Sequence, residues 1–385
     1  MKILQIVKGL DIGGQFGGAE RFGVELGFQL QKLGHDVTIC SFFGTGGNQE
    51  AEWEKRIVDA GLGLMTLQPW QGTNSFGDFL FSIITLVRAC RESPPEIVHS
   101  HFQLGTFAAI ALKKYLNVEV CIRTAHLASE WEKGLFGKVK SSLANYFYPR
   151  YLDIQIGVSQ EIVDALCKTY NHRMKMLPAR LIYNGINIEK ENLITPGQLK
   201  KEGSYTIGSV GRLTEQKGFS DLISATAIAR KKIPNLKLIL IGDGELRESL
   251  QAEAKKLQIE DYVTLTGKVN NVNDYLKQID LFISSSLWEG LPTVIMEAML
   301  AGVPVVATSI PGSIDMVKPG INGWLASPGK PEHLAEVIVE ALLDSEHRDS
   351  YRRAAAETVK EFSLEKIAEK YQALYREIIA SKLKN

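Results

Sequence analysis

Two glutamates, Glu289 and Glu297, with seven residues between them, stand in the stretch 284–307, SSSLWEGLPTVIMEAMLAGVPVVA. Between them Gly290 and Pro292 suit a turn, and a helix is expected to begin near Thr293. The apolar runs 281–283 and 303–307 read as buried parallel strands. The stretch is therefore strand, glycine turn, helix, strand. The N-terminus of such a helix offers unpaired N–H groups and partial positive charge to an anion. One carboxylate sits just before it and another lies inside it. A phosphate site flanked in this way suits a ligand with phosphates in its middle and hydroxyls at both ends, as in a sugar nucleotide.

A second group is 211–218, GRLTEQKG, which follows one apolar run and precedes a helical one. Arg212 offers a bidentate fork and Lys217 a point charge, so one tight loop could neutralise a diphosphate leaving group. The alternative, two solvated surface cations, loses ground because the loop lies in the same half of the chain as the glutamate pair. A third is the glycine-rich turn 13–18, where Gly14, Gly17 and Gly18 could bring bare N–H groups close to a phosphate. A flexible loop is the equal alternative. His99, His101 and His126 fall at or just past strand ends; His126 is the one assigned to the site. His99 and His101 are expected to face opposite ways if the strand continues to them. Three histidines without carboxylate or cysteine spacing do not make a metal site, and none is expected. The chain has no Asp-x-Asp pair, which favours leaving-group stabilisation by Arg212 and Lys217 without a metal cofactor.

These groups need a frame, and the apolar pattern supplies one. Residues 2–7 are apolar enough for a first strand, 19–32 read as a helix closed by Gly34, and 36–40 as a second strand. Strand and helix signals then alternate to residue 170, including a helix over 134–148 ended by Pro149. The polar segment 195–203 reads as a linker. A second alternating series begins at Tyr205 and ends in a long helix after Ser363. The reading is α/β, two Rossmann-like doubly wound domains over 1–194 and 195–363. Ligands of such folds bind beyond the carboxyl ends of the strands, so a cleft between two domains is the expected active site.

Composition removes other classes. Lys+Arg and Asp+Glu are 44 each, so nothing points to nucleic acid as a partner. The four cysteines are far apart without a CxxC pair, and are read as small buried residues of a reducing compartment. No run is long enough to span a bilayer, and a cytoplasmic protein is expected. The first turn lacks GxGxxG spacing and no acidic residue ends the second strand, which disfavours a nicotinamide enzyme.

Together the pieces GGAER at 17–21, Thr124-Ala125-His126, Asn184-Gly185, Gly211-Arg212-Leu213 with Lys217-Gly218, and Glu289-Gly290-Leu291-Pro292 through Glu297 resemble retaining glycosyltransferases of family 4 (glycosyl transferases group 1). The resemblance covers nearly the whole chain and implies the GT-B fold. It implies an acceptor-side N-terminal domain and a nucleotide-sugar-binding C-terminal one, with the helix 364–385 packing back on the first. By position, Arg212 and Lys217 would hold the diphosphate, Glu289 the donor sugar, and Glu297 the ribose. The turn Gly290, Leu291, Pro292, Thr293 and Val294, through the N–H groups around Leu291 to Val294, would meet the phosphates and sugar, and Lys268 and Val269 would line the base pocket. His126 would lie by the sugar's 6-hydroxyl, and Gly14, Gly17 and Gly18 would close on the phosphates. Leu127 and Asn187 stand where the family often has acidic residues.

The implied activity is transfer of a hexose, best taken as glucose from UDP-glucose, with retention, to a glycan or lipid-linked acceptor in polysaccharide synthesis. A sugar-nucleotide epimerase of the same architecture and a non-catalytic sugar-nucleotide-binding protein are the alternatives. Residues 131–150 mix Lys133, Lys138, Lys140 and Arg150 with five aromatic residues. Such a segment could rest on the inner face of an anionic membrane, or be an ordinary helix with a solvated face.

Overall fold

The computed structural model describes residues 1–13, 16–70, 76–127, 135–169, 177–188, 204–269 and 271–383. The chain divides into two compact units, Met1–Gly185 with Leu364–Asn385, and Ile186–Ser363. The linker expected at 195–203, and with it the 194/195 boundary, lies outside the described residues.

The first unit runs β1 (Lys2–Gly9), α1 (Gly18–Lys32), β2 (Asp36–Gly44), α2 (Asn48–Asp59), β3 (Gly63–Pro69), α3 (Phe76–Ala89), β4 (Ile97–Ser100), α4 (Gln103–Leu116), β5 (Val120–Ala125), α5 (Leu135–Tyr151), β6 (Ile154–Gly157), α6 (Gln160–Thr169) and β7 (Ala179–Leu181). Its strands form one parallel sheet in the order β3-β2-β1-β4-β5-β6-β7. The second unit holds β8 (Thr206–Val210), α7 (Phe219–Ala229), β9 (Lys237–Ile241), α8 (Arg247–Lys256), β10 (Val263–Leu265), α9 (Asn273–Leu276), β11 (Leu281–Ser284), α10 (Thr293–Leu300), β12 (Val305–Thr308), α11 (Ser313–Met316), β13 (Trp324–Ala326), α12 (Pro331–Leu343) and α13 (Ser345–Lys360). Its sheet is parallel in the order β10-β9-β8-β11-β12-β13. Both orders turn back on the first strand of the unit, so β1/β4 and β8/β11 are the switch points where ligands of such sheets bind.

The central strands are buried on both faces. Ile3, Ile6 and Val7 of β1, and Leu281, Phe282 and Ile283 of β11, are all within 1% of full burial. Helices cover both faces of a parallel sheet, so inward and outward positions alike are apolar. The last helix, α14 (Leu364–Leu383), returns to the first unit and packs on α1 and β5. Leu364, Ile367, Ala368, Tyr371, Leu374 and Tyr375 are its buried stripe, at the three- and four-residue spacing of one helix face. Arg180 and Glu377 pair across β7 and α14, and Gln372 Nε2 donates to His35 Nε2 at 2.7 Å.

Several expectations are corrected. The helix α5 runs through Pro149 to Tyr151, so the proline stands inside its last turn rather than ending it at 148. The helix α2 carried no signal, because Trp53 and Ile57 are nearly all the apolar surface it turns inward. Cys40, Cys90 and Cys121 are buried, but Cys167 is exposed on α6. His99 and His101 do not face opposite ways. Their rings stack with centroids 4.2 Å apart. Residues two apart complete one pleat and share a face.

That shared face is the core of the first unit. His99 bridges Tyr375 Oη at 2.9 Å and Thr124 Oγ1 at 2.7 Å, and Thr124 Oγ1 meets Tyr371 Oη at 3.0 Å. His101 Nε2 bonds Gln5 Oε1 at 2.7 Å. Burial, with a smaller push from His126, takes the His99 imidazole down to about 3. Burial and its histidine neighbours take His101 well below its usual range. Both therefore stay neutral in the folded chain, while the unfolded chain protonates them near pH 6.5. The stability they support is complete above about pH 6.5 and is lost progressively as pH falls below it. Melting temperature should fall steadily from pH 7 to pH 4.5, and a flat profile would contradict this account.

Candidate active site

In the second unit the loops leaving the sheet's C-terminal edge cross at backbone contact. Gly218 (φ +59°) lies where a Cβ would come 2.2 Å from the Ser285 carbonyl oxygen. Gly242 (φ +136°) would set a Cβ 2.0 Å from the Gly211 oxygen, and Gly312 (φ +79°) one 2.5 Å from the Gly290 oxygen. Glycine is required at each by both space and conformation. Hydrogen bonds fasten the same crossings. Leu287 N–H donates to Gln216 O at 2.8 Å, Ser285 Oγ to Lys217 O at 2.8 Å, and Leu213 N–H to Asp243 O at 3.0 Å. Gly242 N–H donates to Gly267 O at 3.1 Å.

This edge gathers the expected residues of the second half. The Lys217 side chain lies across Gly211, with its Cε 3.2 Å from where a Cβ would stand, and its Nζ pairs with Glu289. Glu289 also accepts from Ser286 Oγ at 3.0 Å and from Gln216 Nε2 at 3.3 Å. Sequence reasoning missed Gln216 and Ser286; one lies next to Lys217 and the other three residues before Glu289, but neither type marks a site by itself. Arg212 is exposed and makes no ion pair among the described residues. Gly290, Leu291 and Pro292 are buried, with Thr293 and Val294 half-buried at the start of α10. No side chain caps that helix, so its first N–H groups have no partner within it. Glu297 is buried one turn further on, as its apolar flanks required. Lys268 is exposed and Val269 half-buried just past β10. Cation, carboxylate and uncapped helix start thus converge at the β8/β11 switch point. The arrangement can receive a polyanion with hydroxyl groups beside it.

In the first unit, Gly17 and Gly18 begin α1 with nothing within 4 Å of where a Cβ would stand. Gly17 N–H is held by Glu20 Oε2 at 3.0 Å. Gly14 lies outside the described residues. His126 follows β5, and its Nδ1 accepts from Asn184 Nδ2 at 3.4 Å. The other ring nitrogen, Nε2, is buried without a partner among the described residues. Burial, aided by the charge of Arg123, takes this imidazole down to about 3. A neutral ring with an idle nitrogen offers a hydrogen bond rather than a charge. Below it, His101 is 5.8 Å away ring to ring, and the Tyr371–Thr124–His99 network follows. The tyrosines of α14 were missed, since their spacing says only that they are buried. Of the segment 131–150, residues 131–134 lie outside the described residues; Lys138 and Arg150 are exposed on α5 and Lys140 is half-buried.

Known proteins match this chain throughout. The family model described as Glycosyltransferase Family 4 matches residues 16–190, and that described as Glycosyl transferases group 1 matches 191–358. An uncharacterised glycosyltransferase of Methanocaldococcus jannaschii is 29% identical over 337 residues, 75% of this chain and 81% of the relative. The UDP-Gal:alpha-D-GlcNAc-diphosphoundecaprenol alpha-1,3-galactosyltransferase of Escherichia coli is 27% identical, covering 78% of this chain and 80% of the relative. The crystal structure of Anabaena HepE with UDP and glucose superposes with a TM-score of 0.79 at 21% identity, covering 98% of this chain and 100% of HepE. The same protein solved with UDP-glucose gives 0.78, at 20% identity, covering 100% of this chain and 99% of HepE. Two consecutive family matches, on two parallel-sheet domains of the GT-B type, make this chain a glycosyltransferase belonging to family 4.

Proposed function

We propose that the enzyme transfers a hexose, glucose from UDP-glucose, with retention at the anomeric carbon to a glycan or lipid-linked acceptor in polysaccharide synthesis. The observation that carries this reading is the Lys217–Glu289 pair beside an exposed Arg212, which makes no ion pair among the described residues, and an uncapped helix start. Lys217 and Glu289 are only 19% and 10% exposed, so each holds the other's charge out of water. A bound diphosphate gives Lys217 an anion in its place and frees Glu289 to accept hydroxyls of the donor sugar. Arg212, Lys217 and the N–H groups at 291–294 then stabilise the charge that grows on the departing diphosphate. Glu297 takes the ribose, Lys268 and Val269 the base, and Gly14, Gly17 and Gly18 the phosphates. His126 serves the sugar's 6-hydroxyl with its Nε2. We assign no protein nucleophile. The departing phosphate takes the acceptor's proton as its bond to the sugar breaks, on the face where the acceptor oxygen bonds. UDP-glucose draws on the HepE complexes, and a hexose with a lipid-linked acceptor on the substrates in the Escherichia coli relative's name.

Peripheral contact with a membrane belongs to this reading. Among the described residues no helix is long and apolar enough to cross a bilayer. On α5, however, Val139, Leu143 and Tyr146 are exposed at one-face spacing, with Lys138 and Arg150 exposed beside them. The Arg150 guanidinium stacks 3.7 Å over the Tyr146 ring. An apolar stripe with a basic border suits an anionic lipid surface.

The closing tests are direct. Of UDP, GDP and ADP sugars, UDP-glucose should raise the melting temperature most, by an amount equivalent to about 2.7 kcal/mol at a hundred times its Kd. Preference for another nucleotide would replace the donor. With EDTA present the enzyme should still transfer glucose to acceptor, and Lys217→Ala should cut kcat about a hundredfold or more with the fold intact. Normal turnover in that variant would sink the assignment, and a product formed without acceptor would point to epimerisation. The protein should sediment with vesicles containing anionic lipid and less so as Leu143→Glu; no sedimentation would remove the membrane contact.

A further inference from the structure

Glu289 has a different holder on each carboxylate oxygen. Oε1 takes the Lys217 ammonium and the Ser286 hydroxyl, the latter at 3.0 Å. Oε2 takes Gln216 Nε2 at 3.3 Å. The Gln216 amide is shared, because Nε2 also donates to Trp288 O at 3.0 Å. Both neighbours of that amide are acceptors, so its NH2 end must face them; an amide oxygen turned there would meet two oxygens.

Both holders are themselves fastened. Gln216 O accepts from Leu287 N–H at 2.8 Å, so Gln216 grips the stretch 287–289 through backbone and side chain alike. Ser286 is 3% exposed, and its carbonyl takes the hydroxyl of Thr308, the last residue of β12, at 2.5 Å. The carboxylate is thus held from the loop after β8 on one side and from β12 on the other. The bond from Gln216 to Trp288 O needs no reason beyond tying one loop to the next. The bond to Glu289 has a second consequence.

That consequence belongs to the state in which Lys217 has turned to a diphosphate. Glu289 then keeps its charge but loses its nearest cation, and a glutamate released from its partner recovers rotamer freedom. Gln216 and Ser286 are the holders that remain. Both are neutral, so they fix the carboxylate without cancelling its charge and without drawing on the diphosphate. A second cation in place of Gln216 would do both. A carboxylate has about four lone-pair sites. With the ammonium gone, Ser286 fills one on Oε1 and Gln216 one on Oε2, which leaves each oxygen able to accept a hydroxyl.

We propose that Gln216 is a positioning residue: with Ser286 it keeps the Glu289 carboxylate aimed at the donor sugar once Lys217 has turned to the diphosphate, and so acts on the sugar and not on the nucleotide. The proposal rests on the donor reading given above.

The whole chain and its variants are titrated by calorimetry with UDP-glucose and with UDP, or with the nucleotide sugar and nucleoside diphosphate that a melting panel selects. The quantity read is the ratio of the two dissociation constants, sugar nucleotide over nucleotide. Whatever the loop does for the diphosphate cancels in that ratio. Gln216→Ala should raise it about tenfold, with UDP affinity within about twofold of the parent. Gln216→Glu has the same shape and should raise it further, because a second carboxylate would face Glu289 and Trp288 O. Ser286→Ala should raise it as well. A merely structural role predicts otherwise: Gln216→Glu would be the milder change, and UDP and UDP-glucose would weaken together. Circular dichroism checks that each variant folds. An unchanged ratio in folded Gln216→Ala and Gln216→Glu chains that bind UDP-glucose would overturn the proposal and leave the donor reading standing. A parent chain that binds no nucleotide sugar would overturn the donor reading, and the proposal with it.

Discussion

The site in the second unit depends on backbone running against backbone. Four crossings leave no room for a β-carbon: Gly218 over Ser285, Gly242 over Gly211, Gly244 over Leu213, and Gly312 over Gly290. They link the loops that leave neighbouring strands, so these loops form one fabric rather than separate fingers. Side chains carried on such a fabric are positioned by contacts too stiff to yield, because backbone cannot rotate aside as a long side chain can. Lys217 is the clearest case. Its stem rests on one glycine, its own carbonyl is held by Ser285, and its ammonium finds Glu289 on the neighbouring loop. A lysine carries about 2 kcal/mol of rotamer entropy, and here much of it is already gone before any ligand arrives.

The Lys217–Glu289 pair also sets the electrostatic balance of the edge. Removing either partner alone would strand the other charge at low exposure, which is costlier than removing both. Arg212 stands outside this balance, exposed and without an ion pair among the described residues. One cation is thus held in reserve by a carboxylate while the other is open to solvent. An arriving polyanion meets the open one first.

Much of this was legible in the sequence, for physical reasons. Strands buried on both faces read as unbroken apolar runs, so the two alternating series stood out. A glycine turn between an apolar run and a helix marks the strand ends, and Arg212, Lys217, Glu289 and Glu297 all lie on or just after such turns. What stayed hidden was of two kinds. Some elements draw little on apolar side chains: α2 is fastened by Glu50 reaching back to its own turn, which no hydrophobic period records. Other features exist only between distant residues. Nothing in the spacing of Tyr371 and Tyr375 says that their hydroxyls end on Thr124 and His99, nor that Lys217 answers Glu289 across 72 residues. The stacking of His99 on His101 was open to reading and was misjudged, since a period of two returns a side chain to its own face.

The chain leaves the first unit after Gly185 and comes back to it at Leu364. At those two crossings Ile186 pairs with Ser363, and Ile186 N–H donates to Phe362 O at 2.9 Å. The second unit is therefore an uninterrupted segment whose two ends are clasped together. The first unit is made of two pieces that emerge from the ribosome far apart in time. Until α14 is made, Ile367, Leu374 and both tyrosines are missing from the core, and the His99 imidazole has no Tyr375 hydroxyl. During synthesis the second unit can thus become self-sufficient first, while the first, whose larger piece is translated earlier, must wait for α14 to complete it. The clasp at 186 and 363 also marks where evolution could exchange the second unit for another without opening either sheet.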